Sequence, residues 1–89
     1  MDKKQAVTTA KDYVTDLYTG EQIEDIGLEE VQYDRKLRLW HITVGFNRRT
    51  AANNVVTQFG GMPRRSYKIV TVEEKTESAI SLKDRELSD

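Results

Sequence analysis

Trp40-His41-Ile42-Thr43-Val44-Gly45-Phe46 puts Trp40, Ile42, Val44 and Phe46 at one parity and His41, Thr43 and Gly45 at the other. Alternation over a β-branched and aromatic run reads as a strand with one buried face. The stretch holds the single Trp, the single His and one of the two Phe residues of the chain. It is read as the central strand of an antiparallel sheet.

Working outward, the buried face of that strand needs a cover, and the N-terminus supplies one. Asp2 and Gln5 have the spacing of a helix capping box. Ala6, Ala10, Tyr13 or Val14, and Leu17 follow at helical spacing, and Gly20 is placed to stop the helix. One amphipathic helix over about Lys3 to Thr19 is predicted, packed through Ala10, Val14 and Leu17. After an acidic connection from Glu21 to Asp25, a first strand runs from Ile26 to Tyr33. Its apolar parity changes across Glu29-Glu30, which predicts a β-bulge. Asp34-Arg35-Lys36 forms a turn, and the central strand starts at about Leu37.

Beyond Phe46 the period of two disappears until Pro63, and a short helix over Thr50 to Phe59 is one reading of this long connection. Tyr67 to Val72 is a third strand, Glu73 to Glu77 a charged turn, and Ala79 to Asp84 a fourth strand with Ile80 and Leu82 facing inward. Arg85 onward is a polar tail. The expected architecture is a single α+β domain over 1–89: helix, strand, strand, loop, strand, strand, with the helix on a four-stranded antiparallel sheet.

The chain has 89 residues, 37% hydrophobic and 33% charged, which suits one thin core under a polar surface. Cysteine is absent, so thiolate metal sites and disulfides are excluded. No apolar run reaches the ~20 residues of a membrane span and no signal-peptide pattern opens the chain, so a cytoplasmic location is expected by default. The formal net charge is -1, but its distribution is uneven. Arg48, Arg49, Arg64 and Arg65 frame a stretch without acids, leaving 10 basic against 15 acidic residues elsewhere. A basic loop on an acidic body results.

A lone histidine lacks the co-ligands of a metal site and the third group of a catalytic triad. His41 beside Ser66 or Ser81 is therefore read as a surface residue, and the Glu24, Asp25, Glu29, Glu30 run as solvated acid. The paired arginines are the stronger signal, because guanidinium forks bind carboxylates and phosphates bidentately. If the central and third strands pair, Arg48, Arg49, Arg64 and Arg65 gather at one end of the sheet, with Phe59 and Tyr67 nearby for stacking. Leu37 and Leu39, with Tyr67 and Ile69 or Val70 and Val72, offer an apolar second face through which the chain is expected to form a homodimer.

Tyr67-Lys68-Ile69-Val70-Thr71-Val72, then Thr76, then Ile80-Ser81-Leu82 resembles the closing half of PepSY-type domains and other small cystatin-like folds. Where that pattern carries a glycine after the threonine, this chain has Glu77. The resemblance covers about half the chain. It implies a cystatin-like fold and a non-catalytic domain that binds or restrains a protein partner, and it carries over no catalytic residue. The expectation is a non-enzymatic binding or regulatory module without cofactor or metal, taking a protein partner that is anionic. The alternatives are a nucleic-acid- or phosphate-binding protein using the loop 47–65, and a small self-associating structural subunit.

Overall fold

Asp2 opens the only helix among the described residues, α1 (Lys3–Leu17), in the computed structural model, which describes residues 1–49 and 65–85. The capping box forms as its spacing predicts. The Asp2 carboxylate accepts from the Gln5 backbone N–H at 2.8 Å, and the Asp2 N–H donates to Gln5 Oε1 at 3.0 Å. Ala6, Ala10 and Val14 are fully buried. The helix ends at Leu17, and Leu17 is 54% exposed rather than packed in the core. The buried stripe advances by four, so its next member is Tyr18, whose ring lies 5.1 Å from that of Phe46.

Four antiparallel strands follow as a meander, β1 (Gln22–Asp34), β2 (Leu39–Arg49), β3 (Arg65–Glu73) and β4 (Ser78–Asp84), in the spatial order of the chain. The α+β class and the helix on a four-stranded antiparallel sheet are as expected. β2 pairs with both β1 and β3, as a central strand must. Its Trp40, Ile42, Val44 and Phe46 form the core with Val70 and Val72 of β3 and the three buried helix residues. Around 1.5–3 kcal/mol accompanies full burial of each large side chain in this layer.

The starts of two strands differ most from the expectation. β1 starts at Gln22 rather than Ile26, so the acidic segment belongs to the strand. An edge strand tolerates charges that a central strand would not. The bulge at Glu29 is present, between Leu28 and Glu30, and a second irregularity lies between Glu24 and Gly27. β2 starts at Leu39, because the Leu37 N–H donates to Asp34 Oδ1 at 3.0 Å and holds Leu37 in the turn, 65% exposed. The predicted helix over Thr50 to Phe59 lies outside the described residues.

Ile80 faces solvent at 50% exposure, not the core. Thr71 pairs with Ser81 while Val72 pairs with Ala79, so Ile80 is the extra residue of a bulge. The change of phase turns Ala79 and Leu82 toward the core. Glu77, just before β4, has φ 54, in the left-handed region that glycine favours.

Candidate functional site

Pairing of Asn47 with Arg65 sets the feet of the long connection side by side at one end of the sheet. Arg48 and Arg65 share that end, but strand alternation places them on opposite faces. Arg48 has the parity of the core residues and lies over the Tyr18 ring, its guanidinium carbon 5.2 Å from the centroid. Its Nη2 donates to Glu21 Oε1 at 2.7 Å. Arg65 lies on the face away from the helix. Arg49 pairs through its backbone with Gln22, while Arg64 and Phe59 lie outside the described residues.

Two glycines make room for Arg65. Gly27 and Gly45 are cross-strand partners, and a Cβ at Gly45 would stand 2.9 Å from Arg65 Nε and 3.1 Å from Glu29 Cγ. Over this bare shelf Arg65 Nη1 donates to the Asp25 carbonyl at 3.0 Å, and its Nε approaches Glu29 Oε1 at 3.8 Å. Asn47 Nδ2 donates to Asp25 Oδ2 at 3.1 Å beside it. Asp25 has φ 55, which an Asp tolerates better than most residues. The irregular acidic part of β1 thus wraps the first residue of β3. Tyr67, opposite Gly45, completes this corner half-buried.

Lys68 adds a cation that sequence reading passed over, because a lysine in an apolar strand looks like a solvent-facing residue. It pairs with Val44, at core parity, and its side chain is only 14% exposed. Its ammonium donates to Asp84, and this bond chiefly raises its pKa, with the Tyr18 hydroxyl also contributing. Tyr18 therefore sits among Phe46, Arg48 and Lys68 at the end of the helix. The signal available in sequence was the stripe of four ending at Tyr18.

At the opposite end, the Tyr33 hydroxyl donates to Glu74 Oε2 at 2.7 Å, which raises the Tyr33 pKa, while the Tyr33 ring packs 4.5 Å from Trp40. His41 stands between Gln32 and Thr71 on the open face, its Nδ1 3.3 Å from Thr71 Oγ1. Ser66 pairs with Phe46, at the other parity, and Ser81 lies one strand beyond Thr71. Neither serine shares a hydrogen bond with the imidazole in this arrangement. Among the described residues no group of three His, Asp or Glu side chains could hold a metal ion, and no helix is long and apolar enough to cross a membrane.

The arginine end is thus a wrapped corner, in which Arg48 and Arg65 lie on opposite faces and each is answered by an acid of the same chain. No family model matches the chain, and neither a curated protein nor a solved structure matches it.

Proposed function

We propose that the protein is a non-enzymatic binding or regulatory module of PepSY-like, cystatin-like type that takes an acidic protein partner at the arginine end of its sheet. The observation that carries this reading is the Asn47–Arg65 pairing, which brings the feet of the arginine-flanked segment together on a rigid scaffold. The pairs Arg48–Glu21 and Arg65–Glu29 are partly exposed, with side-chain exposures between 29% and 42%. Such pairs contribute only ~0–1 kcal/mol, so carboxylates from a partner can exchange with them. The left-handed Glu77, at the position where the resemblance expects glycine, is consistent with a closing hairpin of the PepSY sort. The module acts in the cytoplasm as a homodimer and needs no cofactor.

The test is affinity purification with wild-type protein and with a variant carrying Ser at Arg48, Arg49, Arg64 and Arg65. A partner recovered by the wild type should bind the variant more weakly, chiefly through slower association at low salt. Equal association rates would remove the arginine end from the function. Recovery of nucleic acid in place of protein, with steep salt dependence, would replace the protein-binding reading with the phosphate-binding one.

A further inference from the structure

Arg48 and Arg65 are held in different ways. Arg48 Nη2 donates to Glu21 Oε1 at 2.7 Å, its guanidinium carbon stands 5.2 Å from the centroid of the Tyr18 ring, and its Nε is buried. Arg65 is fixed at one corner and loose at another. Its Nη1 donates to the Asp25 carbonyl at 3.0 Å, and Asn47 Nδ2 holds the Asp25 carboxylate at 3.1 Å. Its Nε stands 3.8 Å from Glu29 Oε1, beyond hydrogen-bond distance, and the two side chains are 29% and 32% exposed. Glu29 reaches this position through the bulge in β1. Leu28 pairs with Val44 and Glu30 with Thr43, so Glu29 has no partner in register on β2. Its Cγ lies 3.1 Å from where a Gly45 Cβ would stand, on the face that carries Arg65. A bulge re-aims a side chain, and this one aims a carboxylate at a guanidinium. Glu30 is exposed in the row that continues through Thr43, Ile69 and Lys83, and Arg65 pairs with Glu29 rather than with it.

We infer that Glu29 is a built-in competitor, which occupies Arg65 in the free protein and gives way there to a carboxylate of the acidic partner. The inference rests on the acidic-partner reading of the arginine end, and it names Arg65 rather than Arg48 as the seat. Departure of Glu29 requires only rotation of a partly exposed side chain, because its contact with Arg65 contains no hydrogen bond that must break. Arg65 stays in place when Glu29 leaves, since the Asp25 carbonyl still holds Nη1 and the bare Gly27 and Gly45 still leave room for Nη2. An incoming carboxylate thus meets a guanidinium already in position, and binding does not have to order a long flexible side chain. Arg48 lacks this opening. A carboxylate arriving there has to break the 2.7 Å bond to Glu21 and cannot reach the buried Nε. The competitor also sets selectivity, because an uncharged amide or hydroxyl does not replace the charge-assisted pairing that Glu29 supplies.

An NMR titration with a short poly-glutamate peptide tests this, following the arginine Nε–H resonances in the wild type, Glu29→Gln, Glu30→Gln and Glu21→Gln. Glu29→Gln keeps the size of the side chain but removes the competing charge, and is expected to bind the peptide about twofold to fivefold tighter, the range an exchangeable surface pair supports. Glu30→Gln makes the same change in net charge one residue away, and Glu21→Gln makes it beside Arg48. Both are expected to stay closer to the wild type than Glu29→Gln does. The Arg65 signal should move as peptide is added, and the Arg48 signal should stay. Circular dichroism confirms that each substitution leaves the fold intact. Equal affinity of Glu29→Gln and wild type, equal tightening by Glu30→Gln, a larger gain from Glu21→Gln, or no binding by any of these proteins would each overturn the inference. The variant with Ser at Arg48, Arg49, Arg64 and Arg65 separates this failure from that of the underlying reading. If it binds more weakly while Glu29→Gln gains nothing, the arginine end stands and only the competitor falls. If it binds as the wild type does, the arginine end falls, and the competitor with it.

Discussion

Trp40 and Leu39 are neighbours in sequence on opposite faces of the same strand, and the two faces follow different rules. Beneath the helix, Ile42, Val44 and Phe46 are completely buried, and aromatic rings close both ends of the layer, Tyr33 on Trp40 and Tyr18 on Phe46. On the open face the corresponding positions are His41, Thr43 and Gly45, joined by Thr71, Ile69 and Arg65. One face is organised by apolar volume, the other by hydrogen bonds, bare glycines and charge. Stability should therefore reside chiefly in the apolar volume of the first, and recognition in the partly exposed ion pairs Arg48–Glu21 and Arg65–Glu29 at the sheet's arginine end, whose pairing can be exchanged.

The strongest test of that contrast compares the two neighbours. Trp40→Ala is expected to cost about 3–5 kcal/mol in chemical denaturation, a large share of the 5–15 kcal/mol typical of a domain. Leu39→Ala should cost less than about 1 kcal/mol in the monomer. Comparable losses at both positions would show that the open face is buried in solution, and a concentration dependence of the Leu39→Ala effect would identify the second copy as the cover.

A smaller effect probes the glycine shelf. Gly45→Ala would crowd the Arg65 guanidinium, and the far end of a flexible side chain can move. About 1 kcal/mol of destabilisation is expected, most of it absent in an Arg65→Ala background, where the added methyl meets only Glu29 Cγ, at 3.1 Å. A double-mutant cycle measures this coupling, and additive effects would mean that Arg65 does not rest on Gly45. Glu77→Gly touches neither face and isolates the backbone of the second hairpin. Relief of its left-handed conformation should stabilise the protein by ~0.5–1 kcal/mol, read as a raised denaturation midpoint. An unchanged midpoint would show that the turn is unstrained.

The smallest effect separates the ends of the covered face. The raised pKa values of Lys68 and Tyr33 mean that each group holds its proton more tightly in the folded state. Their stabilisation is full below the unfolded values of about 10 and is lost as pH rises through the folded ones. Stability should therefore be flat near neutrality with respect to these groups and decline in the alkaline range. Lys68→Met should reduce that alkaline decline, and an identical profile in the variant would assign the decline elsewhere.

Much of the fold is legible in the sequence because period and capping act locally. The capping box at Asp2, the alternation from Trp40 to Phe46 and the bulge at Glu29 each follow from a few adjacent residues. What local pattern misassigns depends on where neighbouring chains stop. Leu17 has the right hydrophobicity and the wrong angle, Tyr18 the reverse, and only the position of Phe46 decides between them. Ile80 looks inward by alternation, yet the pairing of β4 with β3 inserts it as an extra residue and turns it out. The arginine pairs were visible as a charge asymmetry, but the placement of Arg48 and Arg65 on opposite faces depends on strand register.

Sequence alone determined the helix start, the buried parity of β2 and the uneven charge, since each is set by interactions within a few residues or by composition. Tertiary structure decided that Glu30 and Lys83 share a row, that Gly27 and Gly45 align to seat Arg65, and that Lys68 tucks beneath the helix end. Those residues are separated by 18 to 53 positions in the chain. No local preference can align them, because each alignment is fixed by the register of strands that pair only once the whole sheet has formed.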